Sequence, residues 1–204
     1  MPKNDNSVNI ENAGEPARES DGERYHHGDL RSALVEEGLK RLESGPAEAL
    51  SLREVARNVG VSATAVYRHF PDKQALLRAL TEVGGERIAD AFKTAMAKAQ
   101  PGKDAFNAMG RAYVRFALDN PSLFRLMMSP VVRRGATGEP DSRGMQMLAN
   151  SLKELGGGKI SAEEQYIRRL QSWSVVHGLA MLMLDGLVPH DDKLIDQVLE
   201  TRMV

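Results

Sequence analysis

The sequence predicts an all-α fold of about nine helices, and three observations predict it. Apolar residues recur at i, i+3, i+4 and i+7 in each long segment, no stretch alternates apolar and polar residues as a strand would, and Gly and Pro punctuate the chain at helix-length intervals. At 204 residues with 42% apolar content, the chain can build a substantial core. It has no cysteine, which excludes a disulfide framework and thiolate metal sites and fits a reducing cytoplasm. No apolar run approaches the ~20 residues of a membrane helix, and the N-terminus lacks the pattern of a signal peptide. A cytoplasmic protein with no membrane partner is expected.

The elements follow in order. Residues 1–23 hold no aromatic side chain and a net charge of −4, so they read as a disordered leader. Leu30, Leu34, Gly38 and Leu42 share one face of a first helix, and Pro46 lies in the loop after it. Between 49 and 70 the spacing builds a two-helix unit. Leu52, Val55, Ala56 and Val59 form the buried stripe of a short helix, with Ala56 small enough for two backbones to cross, and Gly60 ends it. Val61 plugs the turn, Ser62 caps the next helix, and Val66 and Phe70 anchor that helix inward. Ala63, Thr64, Ala65, Tyr67 and Arg68 are then left pointing outward. Small residues at the start of an outward helix let it press against base edges in the major groove, with a methyl or hydroxyl as the reader. A fourth helix follows Pro71 with Asp72 as its cap and runs to about Ala99, where Pro101 and Gly102 break it. Later helices are predicted at 103–119, 121–132, 141–155, 162–187 and 191–202, separated by Asn120-Pro121, the loop Arg133 to Pro140, Gly156-Gly157-Gly158 and Val188-Pro189.

The residues GVSATAVYRHFPDKQALL resemble the DNA-binding domain of the tetracycline-repressor (TetR) family. Gly60, Val61, Ser62, Tyr67, His69, Phe70 and Lys73 fill its Gly-Val-Ser, Tyr-x-His-Phe and following Lys positions. Leu34, Gly38, Leu42 and Gly45 fall where the family's first helix and its closing turn would lie, with Gly38 standing where Ala is more usual. The resemblance covers Tyr25 to about Arg87. It implies a helix-turn-helix domain at 24–87, an effector-binding and dimerisation domain at 88–204, and a double-stranded DNA operator as partner. Tyr67 and Lys73 match positions that contact the DNA backbone, while His69 serves either there or as a structural hydrogen-bonding residue. The DNA-facing set is therefore Ser62, Ala63, Thr64, Ala65, Tyr67, Arg68, His69 and Lys73. Residues 24–80 carry a net charge of +2, a modest excess for such a role. Arg24, Tyr25, His26 and His27 read either as an arm for the minor groove or as helix capping.

The resemblance also implies a small-molecule effector held by apolar residues of the second domain. Phe106, Met109, Tyr113, Phe116 and Met127 are candidates, because Met and aromatic side chains repack around varied apolar ligands; core packing is the plainer reading of each. Trp173, His177 and Gly178 look like the Trp-His-Gly signature of one branch of the family. Trp173 and His177 share a helix face and belong either to the effector site or to the core. Ile167, Leu170, Ser174, Val176, His177, Met181 and Leu184, with Leu194, Ile195, Val198 and Leu199, offer apolar surface for a four-helix seam between two subunits, so a homodimer is expected.

These readings converge on a ligand-responsive regulator, a repressor on a palindromic operator. An activator or architectural DNA-binding protein is the alternative. A DNA-processing enzyme is disfavoured, since the chain offers no acidic triad, Ser nucleophile motif or phosphate loop. No catalytic residue, cofactor or metal ligand set is expected; His190-Asp191-Asp192 lacks metal-ligand spacing.

Overall fold

The computed structural model describes residues 27–130, 142–156 and 161–201, and among them every regular element is a helix. The leader, residues 24–26 of the expected arm, the loop Arg133 to Pro140 and Gly157-Gly158 lie outside the described residues.

Helix α1 (His27–Ser44) buries Leu34, Val35, Leu39 and Leu42. Gly38 faces α4, where a Cβ would stand 2.9 Å from Leu80 Cδ2, so glycine at this position lets the two helices close together. A short 3-10 turn, Ala47–Ala49, follows Pro46. Helices α2 (Leu52–Val59) and α3 (Ala63–His69) are joined by Gly60, whose φ of 79° is the left-handed conformation that glycine takes without strain. Ser62 Oγ accepts from the Ala65 N–H at 3.2 Å and caps α3. Leu52, Val55, Ala56, Val66 and Phe70 are all buried, as their spacing predicts. The Arg31 guanidinium lies 5.4 Å from the centre of the Phe70 ring, which fastens the start of α1 to the end of α3.

Helix α4 (Lys73–Ala97), capped by Asp72 Oδ1 on the Ala75 N–H at 2.7 Å, is the spine of the molecule. It begins four residues after α3 ends, packs on α1, and continues into contact with α5 (Lys103–Asp119), α6 (Pro121–Met128) and α7 (Arg143–Leu155). The domain boundary expected at residue 87 thus falls inside an unbroken helix. Gly84 is buried against α6, where a Cβ would stand 2.6 Å from Met127 Sδ and 3.2 Å from Leu123 Cδ1; adjacent Gly85 faces open space. Gly84 thus gives α6 clearance in the middle of the long helix. Helix α6 packs on α4, α1 and the 3-10 turn together, so it touches both halves of the chain.

Two helix ends fall three or more residues earlier than the sequence predicts. Helix α6 stops at Met128, not 132, because Pro130 drives Ser129 into an extended conformation (φ −68°, ψ 128°). Helix α8 (Ala162–Leu184) stops short of 187 because Gly186 turns left-handed at φ 71°. Helix α9 (Asp192–Glu200) lies antiparallel on α5, fixed by the ion pairs Arg111–Asp196 and Arg115–Asp192. A Cβ on Gly110 of α5 would meet Leu199 at 3.0 Å and Val176 at 3.4 Å, so this glycine seats both α8 and α9.

Candidate functional site

The residues expected to carry the function fall in two places, one beside the N-terminus of α4 and one farther along it. At its N-terminal end, α3 presents Ser62, Ala63, Thr64, Tyr67 and Arg68 to solvent, with Ala65 and His69 half-buried. Tyr67 is 45% exposed although its neighbour Val66 is buried, as expected where seven residues of helix turn one face inward and one outward. Lys73 differs from the rest. Its Nζ donates to the Glu48 carbonyl at 2.6 Å, tying the start of α4 to the 3-10 turn, so its ammonium has a structural partner as well as a position beside the recognition helix.

At the other place, α4 to α9 enclose a half-open cavity of about 610 Å³. Of the seven residues proposed from sequence, Phe106, Met109, Tyr113, Met127 and Trp173 line it. Phe116 and His177 do not. Phe116 lies on the same apolar face of α5, three residues beyond Tyr113, but is buried in the core and does not reach the cavity wall. His177 stands behind Tyr113. The Trp173 Nε1–H donates to Tyr113 Oη at 3.0 Å, and Tyr113 Oη lies 3.0 Å from His177 Nδ1. The hydroxyl, which has one proton and two lone pairs, accepts from the indole and can still give its proton to Nδ1 of a neutral His177. Burial acts in the same direction, holding the His177 imidazole below its ordinary pKa. Tyr113 is further packed by Phe92, stacked at 6.4 Å between centroids, and by Phe124, edge-on at 5.5 Å.

The sequence reading missed the α4 wall of the cavity, formed by Thr81, Gly85, Ile88 and Phe92, and the α7 wall at Met145 and Leu148. The α4 residues recur at helical spacing, which marks a shared helix face and does not say that the face meets an opening. The polar residues Asn107 and Gln171 also line the cavity, and in sequence nothing distinguished them from solvated helix surface. The residues expected to form a seam between subunits on α8 and α9 are placed in different surroundings. Ile167, Leu170 and Leu182 of α8 are exposed and Gly178 faces open space, whereas α9 turns Ile195 into its own core and Val198 and Leu199 into the cavity. Among the described residues no cluster of three or more His, Cys, Asp or Glu could hold a metal ion, and no helix is long and apolar enough to cross a membrane.

An outward recognition helix after a left-handed glycine turn, feeding one long helix that walls an apolar cavity, defines a helix-turn-helix regulator with a separate ligand-binding half. Residues 34–80 match the family model "Bacterial regulatory proteins, tetR family", and residues 106–203 match "Tetracyclin repressor-like, C-terminal domain". The chain belongs to the TetR family of DNA-binding transcriptional regulators. It is similar to a solved protein of unknown function from Rhodococcus sp. RHA1, with 30% identity over 87% of this chain and 93% of that one and a TM-score of 0.68. A TetR family transcription regulator from Marinobacter aquaeolei VT8 shares the fold at 20% identity, over 83% and 91% of the two chains, with a TM-score of 0.61. The TetR family regulator PfmR from Thermus thermophilus shares it at 22% identity, over 83% and 99%, with a TM-score of 0.54.

Proposed function

We propose that this regulator is a repressor that binds a palindromic operator as a homodimer and is released when a small molecule enters the cavity. The observation that carries the reading is the continuity of α4, which starts beside the recognition helix and then supplies one wall of the cavity. A ligand between Ile88, Phe92 and Trp173 changes what α4 and α6 pack against, and α6 rests on α1 and the 3-10 turn. The ligand shifts operator affinity only by its difference in affinity for two arrangements of these helices. A coupling of ~1–3 kcal/mol weakens operator binding roughly 5–150-fold.

In this reading Ala63, Thr64 and Ala65 face base edges, and Ser62, Tyr67, Arg68, His69 and Lys73 face the backbone and flanks. The exposed apolar face of α8, with Gly178 open for close approach, supports subunit pairing through that helix. Pairing sets the two recognition helices about one DNA turn, ~34–36 Å, apart. No catalytic role is proposed for any residue, and no cofactor is needed.

The test couples the two ends of α4. Compounds are screened for a change in the emission of Trp173, the only indole in the chain, and those that respond are titrated against the protein–operator complex. Weakening of operator affinity by a responding compound supports the reading; compounds that saturate the Trp173 signal and leave operator affinity untouched refute it.

A further inference from the structure

Lys73, the first residue of α4, is fastened outside its own helix. Its ammonium donates to the Glu48 carbonyl at 2.6 Å, and Glu48 is the middle residue of the 3-10 turn Ala47–Ala49. That carbonyl takes one of the three N–H donors of an ammonium and leaves two for another acceptor. The bond therefore holds a long, flexible side chain in a set place without using up its charge. A lysine already held loses less freedom when it meets a phosphate than one that is not.

The turn that offers this carbonyl packs inward through Ala47, with Leu50 buried just after it, and closes on itself through the Ala49 N–H to the Pro46 carbonyl at 3.1 Å and the Leu50 N–H to the Ala47 carbonyl at 3.2 Å. Helix α6 rests against it. The same eight-residue helix puts Met127 and Met128 in the cavity wall, and seats the Met127 sulfur on Gly84 of α4, 2.6 Å from where a Cβ would stand. One short helix thus touches the cavity, the middle of α4 and the turn that holds Lys73. A close-packed interior passes a displacement on instead of absorbing it.

Resting on the readings of the cavity as the effector site and of Lys73 as a DNA-backbone contact, we infer that the 3-10 turn is the positioning element for Lys73 and that α6 joins this turn to the cavity. The route runs from Met127 through α6 to the Glu48 carbonyl and the Lys73 ammonium. It lies beside α4 and acts on a different property. Movement of α4 sets where the recognition helices stand, whereas the turn sets how firmly one cation per subunit is held for a phosphate. Displacement of α6 weakens binding to every DNA sequence alike through this route, because a phosphate contact carries no sequence information.

The test needs no effector, since Gly84→Ala pushes on Met127 from the α4 side. Affinity for a duplex of arbitrary sequence is measured at one salt concentration for the full chain, Gly84→Ala, Lys73→Ala and the double variant, with Thr94→Ala, an exposed position farther along α4, as control. Gly84→Ala is expected to weaken binding about three- to tenfold in the wild-type background and less than about twofold once Lys73 is gone, with Thr94→Ala neutral in both. Amide hydrogen exchange at Ala49 and Leu50, read without DNA, is expected to quicken in Gly84→Ala and not in Thr94→Ala. If Gly84→Ala does not fold, Met127→Leu, close in volume but without the sulfur seated on Gly84, takes its place in the same cycle. An equal effect with and without Lys73, or turn amides that exchange as in the wild type, overturns the relay and leaves the cavity reading and the Lys73 contact standing. Wild-type affinity in Lys73→Ala overturns the backbone contact and the relay together.

Discussion

Tyr113→Phe removes one oxygen from the middle of the Trp173–Tyr113–His177 chain and leaves the ring. The ring contacts with Phe92 and Phe124 are retained, so no void larger than a hydroxyl is created. What is lost is a pair of 3.0 Å hydrogen bonds, which orphans the indole N–H of Trp173 and Nδ1 of His177. Each bond contributes about 1 kcal/mol net, and the half-buried positions of both orphaned groups let water recover part of the loss. The expected cost is about 1–3 kcal/mol, which for a chain of this size lowers Tm by about 2–12 °C. Urea unfolding at fixed protein concentration measures it, with the slope of the transition unchanged because the surface exposed on unfolding is the same. A blue shift of Trp173 emission in the folded state is the second readout, since the indole loses its acceptor. A midpoint and an emission maximum both unmoved would refute the chain of hydrogen bonds as a structural element.

Gly85→Ala is expected to stabilise the protein by about 0.5–1 kcal/mol, because Gly85 faces open space inside a helix; Gly84→Ala gains the same propensity but must displace Met127 and Leu123, so it should fall about 1–2 kcal/mol below Gly85→Ala in urea unfolding. Lys73→Ala breaks the tie to the Glu48 carbonyl and is expected to cost about 0.5–1.5 kcal/mol of stability; if Lys73 also neutralises a phosphate, the slope of log affinity against log salt falls by about one, and a changed slope with unchanged stability would contradict the tie. Burial keeps His177 neutral in the folded chain where the unfolded imidazole already binds a proton, so its contribution to stability is present above the unfolded value of about 6.5 and is lost as pH falls through that value toward the lower folded one. The wild-type Tm should therefore drop more steeply from about pH 7.5 to about pH 5.5 than that of His177→Gln, and parallel curves would contradict the assignment.

The DNA-binding half was legible because its demands are local. A stripe at i, i+3, i+4 and i+7, a glycine at the one left-handed position and a serine three residues before the N–H it caps all lie within twenty residues, and each residue acts on its near neighbours. The same locality explains Pro130, whose effect on Ser129 was available in the sequence although the pattern around it read as continuous helix. The cavity is a different case. Trp173 and His177 declare their shared face by spacing, but the residue that joins them, Tyr113, is 60 residues away from Trp173 in sequence and meets the pair only through packing. Helical periodicity marks which face of α5 is apolar and does not say whether that face meets another helix, as at Phe116, or an opening, as at Phe106 and Met109. Asn107 and Gln171 gave no signal for the same reason: a polar residue on an amphipathic helix reads as solvated surface until the neighbouring helices are placed.

Selection of bound duplexes from a random pool tests the central claim most directly, carried out with the wild-type chain and with Thr64→Gln in parallel. An enriched inverted repeat with half-site centres about one helical turn, ~34–36 Å, apart, and a changed base preference within each half-site for Thr64→Gln, is the result expected of paired recognition helices reading the major groove through the start of α3. A pool without enrichment, or one half-site alone with a preference that Thr64→Gln leaves unaltered, would contradict it.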